Sequence, residues 1–207
     1  RNVFNLSYQR YADIALAEAQ AREAKIEASL ERVRSRTMAM QKSDELAEAA
    51  TLVFQQFSSL GLLPEGSRVF FSLIDEDTAT SEVWTTKEDG ILRPGSHRLS
   101  LKANKHLLAV YQSWKERKLI YNRELTGSEL TDYLKYIASI PYLKDDKTLQ
   151  QVVIAPPDRL VFTEAFFAQG TIGVIGFIPL IQESQNTLMR FSKIFEQTYT
   201  RFLDLQK

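Results

Sequence analysis

The chain has 207 residues, of which 44% are hydrophobic and 25% charged, and this ordinary composition excludes a disordered or collagen-like protein. Lys and Arg number 26, as do Asp and Glu, so the formal net charge is zero and we expect no nucleic-acid partner. Cysteine is absent, which excludes disulfides, thiolate metal ligands and any chromophore linked through a thioether. No apolar run approaches the roughly 20 residues of a membrane-spanning helix. We therefore expect a cytoplasmic domain with no membrane segment and no metal.

Both ends of the sequence predict long helices, because every Gly and Pro lies between Gly61 and Pro179. From 11 to 40 the residues favour a helix, and apolar side chains recur at alternating steps of four and three, as in the seam of a coiled coil. A helix of that length spans about 45 Å, longer than a small domain is wide. We therefore predict a parallel homodimer. The residues predicted to pair the two chains are Ile26, Leu30, Val33 and Met40 near the start, with Phe195 and Phe202 near the end.

The middle of the chain alternates short β-rich runs with helical patterns. A second helix is predicted from an N-cap at Ser43 to Gly61. Strands are predicted over 68–75, 81–87, 97–101 and 118–122, and helices over 102–117 and 128–140, followed by an irregular stretch up to Pro156-Pro157. Strands over 159–168 and 171–180 form a hairpin that turns at Gln169-Gly170. Both are apolar on both faces, which is typical of the middle of a covered sheet.

This order of elements, together with two stretches of sequence, resembles GAF domains, the small-molecule sensor modules of bacterial signalling proteins. A final hairpin ending GTIGVIGFIPL leads into a helix beginning SQNTLMRFSKIFEQTYTRF. The stretch EAQAREAKIEASLERVRSRTMAMQKSDELAEAA resembles the linker helices that precede GAF-like domains in multi-domain sensor histidine kinases. The resemblance implies an α+β fold, with a central antiparallel sheet flanked by helices and with long coiled-coil helices at both ends. It divides the chain into a linker helix (1–42), a sensor domain (43–190) and the start of an outgoing helix (191–207).

Two subgroups of that family fit the sequence poorly. No cysteine is available for a covalent bilin, and Asn104-Lys105 is not followed by the spaced Phe and Asp-Glu of the cyclic-nucleotide-binding motif. The identity of the cofactor or ligand therefore stays open.

A small-molecule pocket is predicted on the sheet face opposite the terminal helices. Along 159–168 the alternating set that contains Glu164 is otherwise made of large apolar residues, so this carboxylate must find a partner or take up a proton. The alternative is a filled core in which Glu164 pairs with Lys or Arg. The candidate binding residues are Ser72, Trp84, Glu164 and Phe166 on the floor and Tyr111 and Trp114 on a helical wall.

Residues that would support catalysis are sparse. The available imidazoles are His97, expected on a surface strand, and His106, expected as a partly buried structural residue. Neither belongs to a phosphoacceptor motif, and no nucleophile turn or dinucleotide fingerprint is present. Three glycines spaced by three, at 170, 173 and 176, lie within a strand, where they indicate close packing of the backbone.

Three functions remain open at this point. The sequence favours a non-catalytic sensory domain of a bacterial signal-transduction protein, which binds a small molecule or a partner and transmits its state through paired helices to an output domain. The alternative is a ligand-free dimerisation or spacer module. A small hydrolytic or redox enzyme is the third possibility. The sensory domain requires a ligand in the pocket and the spacer module does not, so occupancy of the pocket distinguishes these two functions.

Overall fold

Over residues 2–39 and 45–205, the part of the chain that the computed structural model describes, the chain forms six helices and six strands. In chain order the elements are α1 (Asn2–Met38), α2 (Leu46–Ser59), β1 (Arg68–Asp75), β2 (Thr80–Thr85), β3 (His97–Ser100), α3 (Lys105–Lys115), β4 (Ile120–Thr126), α4 (Gly127–Ser139), α5 (Lys147–Ile154), β5 (Arg159–Phe167), β6 (Gly170–Gly176) and α6 (Gln182–Leu205). The predicted N-cap at Ser43 lies outside the described residues.

The strands form one antiparallel sheet in the order β3-β2-β1-β6-β5-β4. The hairpin of β5 and β6 turns where the sequence predicts, and β6 pairs with β1 at the centre of the sheet. Helices cover both faces, which explains why the two hairpin strands are apolar on both sides. The predicted α+β class, with a central antiparallel sheet flanked by helices, is confirmed.

Helices α1, α2 and α6 cover one face of the sheet and share a large apolar core with it. Phe71 of β1 reaches this core, where its ring centroid lies 4.9 Å from that of Phe195 on α6. Helices α1 and α6 run in the same direction, since Arg22 pairs with Glu183 at 2.8 Å and Arg190 with Glu23 at 2.7 Å. The helix that covers the apolar seam of α1 is therefore α6 of the same chain.

This packing changes the interpretation of the predicted dimer seam. Ile26, Leu30 and Val33 are 3%, 3% and 0% exposed within a single chain, and Phe195 and Phe202 are buried as well. These side chains are not available to a second chain in this conformation, because α6 supplies the partner surface that the sequence alone could not locate. Met40 lies outside the described residues.

Helices α3, α4 and α5 cover the opposite face. Helix α5 was not predicted, because its eight residues make only about two turns, too few for a repeating apolar pattern, and none of them is fully buried. Its start is fixed by Asp146, whose side chain accepts a hydrogen bond from the backbone N–H of Leu149 at 3.0 Å. Strand β4 extends to Thr126, beyond the end predicted at 122. The prediction stopped short because this edge strand is mostly polar and exposed, so its sequence shows no apolar pattern.

Candidate ligand cavity

A cavity of about 320 Å³ lies between the sheet and helices α3, α4 and α5. Its lining is mainly apolar, with a few polar groups at either end. The sheet contributes Phe70, Ser72, Ile74, Ser81, Val83, Leu99, Leu160, Phe162, Glu164 and Ile175, and the helices contribute His106, Leu107, Val110, Tyr133, Leu134, Ile137, Leu149 and Val152. Apolar cavities of this size with a few converging polar groups are the usual form of a small-molecule site.

Strand alternation decides which side chains reach the cavity. On β1, Phe70 and Ser72 face it while Phe71 faces the terminal helices. Ser72 pairs across the sheet with Val83, which therefore shares its face. Gly173 lies beside Phe70 in the register, and a Cβ atom there would come within 2.2 Å of the Phe70 ring. This glycine lets the ring lie across β6, so the predicted close packing is confirmed.

Glu164 provides a carboxyl group at the deep end of the cavity, where the side chain is only 4% exposed. Burial raises its pKa from 4.5 to about 7, and hydrogen bonding with the Thr171 hydroxyl offsets part of that increase. The hydroxyl oxygens of Thr171 and Ser72 lie 3.2 Å apart, within hydrogen-bonding distance. Among the described residues no Lys or Arg forms an ion pair with Glu164, so the alternative of a salt-bridged core residue is not found.

His106 stands on the first turn of α3, whose start is fixed by the side chain of Asn104 accepting from the backbone N–H of Leu107 at 2.9 Å. The imidazole is 2% exposed, and its Nδ1 atom has no hydrogen-bond partner among the described residues. Its ring centroid lies 4.3 Å from Phe162 and 5.4 Å from Tyr133. Burial, helped by the positive charge of Arg123, lowers the pKa of His106 to about 3. The imidazole is therefore neutral at physiological pH, and more deeply buried than the sequence suggested.

The other end of the cavity, at the start of β1, is charged and reaches solvent. Arg68 donates to the half-exposed Glu88 at 2.6 Å, and Arg93 forms an ion pair with Asp146. His97 lies nearby and is 9% exposed, a correction to its predicted surface position. Burial and then the charge of Arg93 lower the pKa of His97 to about 4. His97 shares one face of β3 with the apolar Leu99, whereas Arg98 and Ser100 share the other, and this alternation in the sequence was the signal that could have placed it.

Of the candidate binding residues, Ser72 and Glu164 line the cavity and Trp84 does not. Trp84 lies on the opposite face of the sheet, where its ring centroid is 6.3 Å from that of Phe71 in the core shared with the terminal helices. Its neighbour Val83 takes the cavity side. Both residues are apolar and buried, so the sequence offered no contrast between the two faces of β2.

The helix that carries Tyr111 and Trp114 does form a wall of the cavity, but through its other residues. The Tyr111 hydroxyl donates to the carbonyl oxygen of Glu76 at 3.1 Å, outside the cavity. Trp114 donates from its indole nitrogen to the carbonyl oxygen of Phe167 at 3.1 Å. Trp114 and Phe166 together line a second, more polar depression at the far end of β5.

Residues 2–39 and 45–205 hold no cluster of three or more His, Asp or Glu side chains placed to bind a metal ion. No helix in these ranges is both long and apolar enough to cross a membrane.

Comparison with known proteins identifies similar backbones only. No family model matches the chain, and no curated protein matches it significantly. The chromophore-binding domain of the Stigmatella aurantiaca bacteriophytochrome in the Pr state superposes with a TM-score of 0.47 and 12% identity, over 84% of this chain and 60% of that chain. The phycoerythrobilin-bound GAF domain of a cyanobacterial phytochrome superposes with a TM-score of 0.44 and 9% identity, over 85% and 97% of the two chains. At these levels no property of either protein transfers to this chain.

Proposed function

We propose that this chain is a non-catalytic sensory domain that binds one small, mainly apolar molecule in the cavity beneath α3, α4 and α5. The observation that carries the proposal is the cavity itself, about 320 Å³ of space with a buried carboxyl group at its deep end that no basic residue of the described chain neutralises. Because the charged end of the cavity reaches solvent, a small molecule can enter it from outside. The absence of cysteine means that the proposed ligand is held without a thioether bond.

The sheet offers a route from this cavity to the terminal helices. Ser72 lines the cavity, while its neighbour Phe71 contacts Phe195 of α6 and Phe167 of β5 on the other face, at centroid distances of 4.9 Å and 5.2 Å. A ligand that shifts β1 or β5 would therefore move side chains packed against α6. Packed cores respond to such shifts by repacking discrete contacts, which supports the proposal that α1 and α6 transmit the bound state.

The resemblance of the linker and of the element order to GAF-containing bacterial regulators supports the wider context that we propose. In that context the domain is cytoplasmic, works as a parallel homodimer and controls an output domain such as a histidine kinase. A second copy would contact residues 7–20 of α1, which are exposed along their whole length and include Tyr8 and Tyr11. The buried part of α1 would then connect that contact to the sensor domain.

Binding in the cavity can be tested with N-phenyl-1-naphthylamine, an uncharged dye whose fluorescence increases in apolar surroundings. We expect the folded wild-type protein to bind the dye and to increase its fluorescence. Val83→Phe extends a larger side chain into the cavity and should reduce binding at least tenfold. The matched control is Leu108→Phe, which adds the same ring on the outward side of α3, where Leu108 is 37% exposed.

A ligand-free spacer predicts a different outcome. In that case the wild type and both variants would give the same small fluorescence change, and the proposed function would be wrong. Circular dichroism of the three proteins distinguishes loss of the cavity from loss of the fold.

A further inference from the structure

We infer that the ligand is a small organic cation, with an apolar body and one ammonium or amidinium group whose N–H donors bind the carboxylate of Glu164. The inference rests on the proposed function and names the chemical class that the same cavity takes. It follows from the polar groups at the deep end, which offer hydroxyl groups, a neutral imidazole and one acidic group, but no cation that lacks a carboxylate partner.

The groups that face Glu164 come from five elements, and the cation that shares their side of β4 is already neutralised. This cation is Arg123, which lies opposite Phe162 in the register and donates to both carboxylate oxygens of Glu129, at 2.8 Å and 2.9 Å. Ser72 of β1 and Thr171 of β6 offer hydroxyl groups. His106 of α3 is a neutral imidazole. Tyr121 of β4 and Tyr133 of α4 lie close enough for the charge of Glu164 to raise their pKa values. An ionised carboxylate in this position lacks a counter-ion, and a buried charge without a partner is strongly unfavourable.

Aromatic rings surround the same end of the cavity. Phe162 precedes Glu164 by two residues on the same face of β5, and the centroids of Phe162 and Tyr133 lie 5.2 Å apart in an edge-to-face arrangement. The faces of aromatic rings attract organic cations, and the attraction increases when the site is shielded from water. A carboxyl group beside aromatic rings therefore favours a cation over an anion or a neutral alcohol.

The charged mouth of the cavity does not favour a competing anionic ligand. Arg68 is already paired with Glu88, and Arg93 with Asp146. The Nε atom of Arg68 has no hydrogen-bond partner among the described residues, but an anion bound there would lie beside a guanidinium group whose charge Glu88 already neutralises. Glu164 is the cavity-lining carboxyl group without a basic partner in the part of the chain that the structure describes.

Binding of a cation should release a proton. With no ligand bound, burial keeps the pKa of Glu164 near 7, so the carboxyl is largely protonated at pH 6. The incoming ammonium or amidinium group keeps its own proton, and the carboxyl transfers its proton to the buffer as the ion pair forms. His106 stays neutral throughout, since its pKa is near 3. Affinity should therefore increase with pH up to about pH 7 and then level off.

Calorimetric titration with matched pairs of compounds tests this inference. The amines are tryptamine, 2-phenylethylamine and benzamidine, and the neutral counterparts are tryptophol, 2-phenylethanol and benzamide. At pH 8 we expect at least one cation to bind the wild-type chain about tenfold or more tightly than its neutral counterpart, as hydrogen bonds to charged groups allow. Titration in buffers of different ionisation enthalpy should show close to one proton released per site at pH 6 and almost none at pH 8.5.

The decisive variant is Glu164→Gln, which should remove both the preference for the cation and the proton release. The matched control is Glu124→Gln on the exposed side of β4, which should leave both unchanged, since Glu124 is 45% exposed and outside the cavity. If no cation is preferred, or if Glu164→Gln keeps the preference, the cation assignment is wrong. Where the dye still binds the cavity, the proposed function stands; where neither the dye nor any of the six compounds binds, both proposals fail.

Discussion

At the scale of single residues, Glu164 is the group whose environment conflicts most with its chemistry. Its pKa is near 7 in the folded chain and near 4.5 in an exposed setting, so the folded state binds the proton more tightly. The stabilising contribution of the protonated form is complete below pH 4.5 and is lost as the pH rises through 7. An ionised Glu164 therefore lowers the free energy of unfolding at neutral and alkaline pH.

We predict that Glu164→Gln stabilises the chain increasingly between pH 5 and pH 8. Gln keeps the size of the protonated carboxyl but cannot ionise. Each unit by which the pKa of Glu164 in the folded chain exceeds its exposed value is worth about 1.4 kcal/mol. The increase in the free energy of unfolding therefore reaches a few kcal/mol at most. Urea unfolding of the wild type and the variant at four pH values measures it. His97 and His106, whose pKa values are lowered, titrate in both proteins and so cancel in the difference. A difference that stays constant with pH would contradict this account of Glu164.

Strand alternation was enough to predict that Ser72 and Glu164 share one face of the sheet, because a polar residue among apolar neighbours marks its side. It could not place Trp84, since Val83 beside it is equally apolar and either could face the helices. The roles of Arg68 and His106 as lining residues also lay beyond the sequence. They depend on how the loop at 86–96 and helix α3 close over the sheet, and that is a property of tertiary packing.

At the scale of elements, α1 consists of two parts with different surroundings. Residues 7–20 are exposed, whereas Ile26, Leu30 and Val33 belong to the core formed with α2 and α6. The apolar period that predicts a coiled coil is the same in both settings, because a seam covered by α6 of the same chain and one covered by a second chain need the same side chains. The sequence therefore predicted the helix and its apolar face but not the partner.

This division predicts unequal effects of two alanine substitutions in one helix. Leu30→Ala should lower the free energy of unfolding by about 2–5 kcal/mol, because it leaves a cavity in the core. In the dilute, monomeric protein Ile14→Ala should change it by no more than about 0.5 kcal/mol, since Ile14 is 59% exposed within a single chain. Denaturant unfolding of the two variants compares them directly. A loss for Ile14→Ala that increases with protein concentration would report the proposed contact with a second copy, whereas equal losses for the two variants in the dilute, monomeric protein would contradict this division of α1.

At the scale of the whole molecule, the sheet separates two environments. One face packs tightly against the terminal helices, and the other encloses the cavity. The order of elements predicted the α+β class and the presence of helices on both faces. It did not predict the cavity volume, which depends on how far α3, α4 and α5 lie from the sheet.

Hydrogen–deuterium exchange with and without bound N-phenyl-1-naphthylamine, the uncharged dye, tests the central claim, that this cavity is the ligand site, most directly. We predict slower exchange in β1, β5 and α3, whose side chains line the cavity, and a smaller change in α6 through the contact of Phe71 with Phe195. The Val83→Phe variant should lose these effects, and Leu108→Phe should keep them. Protection confined to exposed surfaces such as residues 7–20, with no change in β1 or β5, would contradict the assignment of the cavity as the binding site.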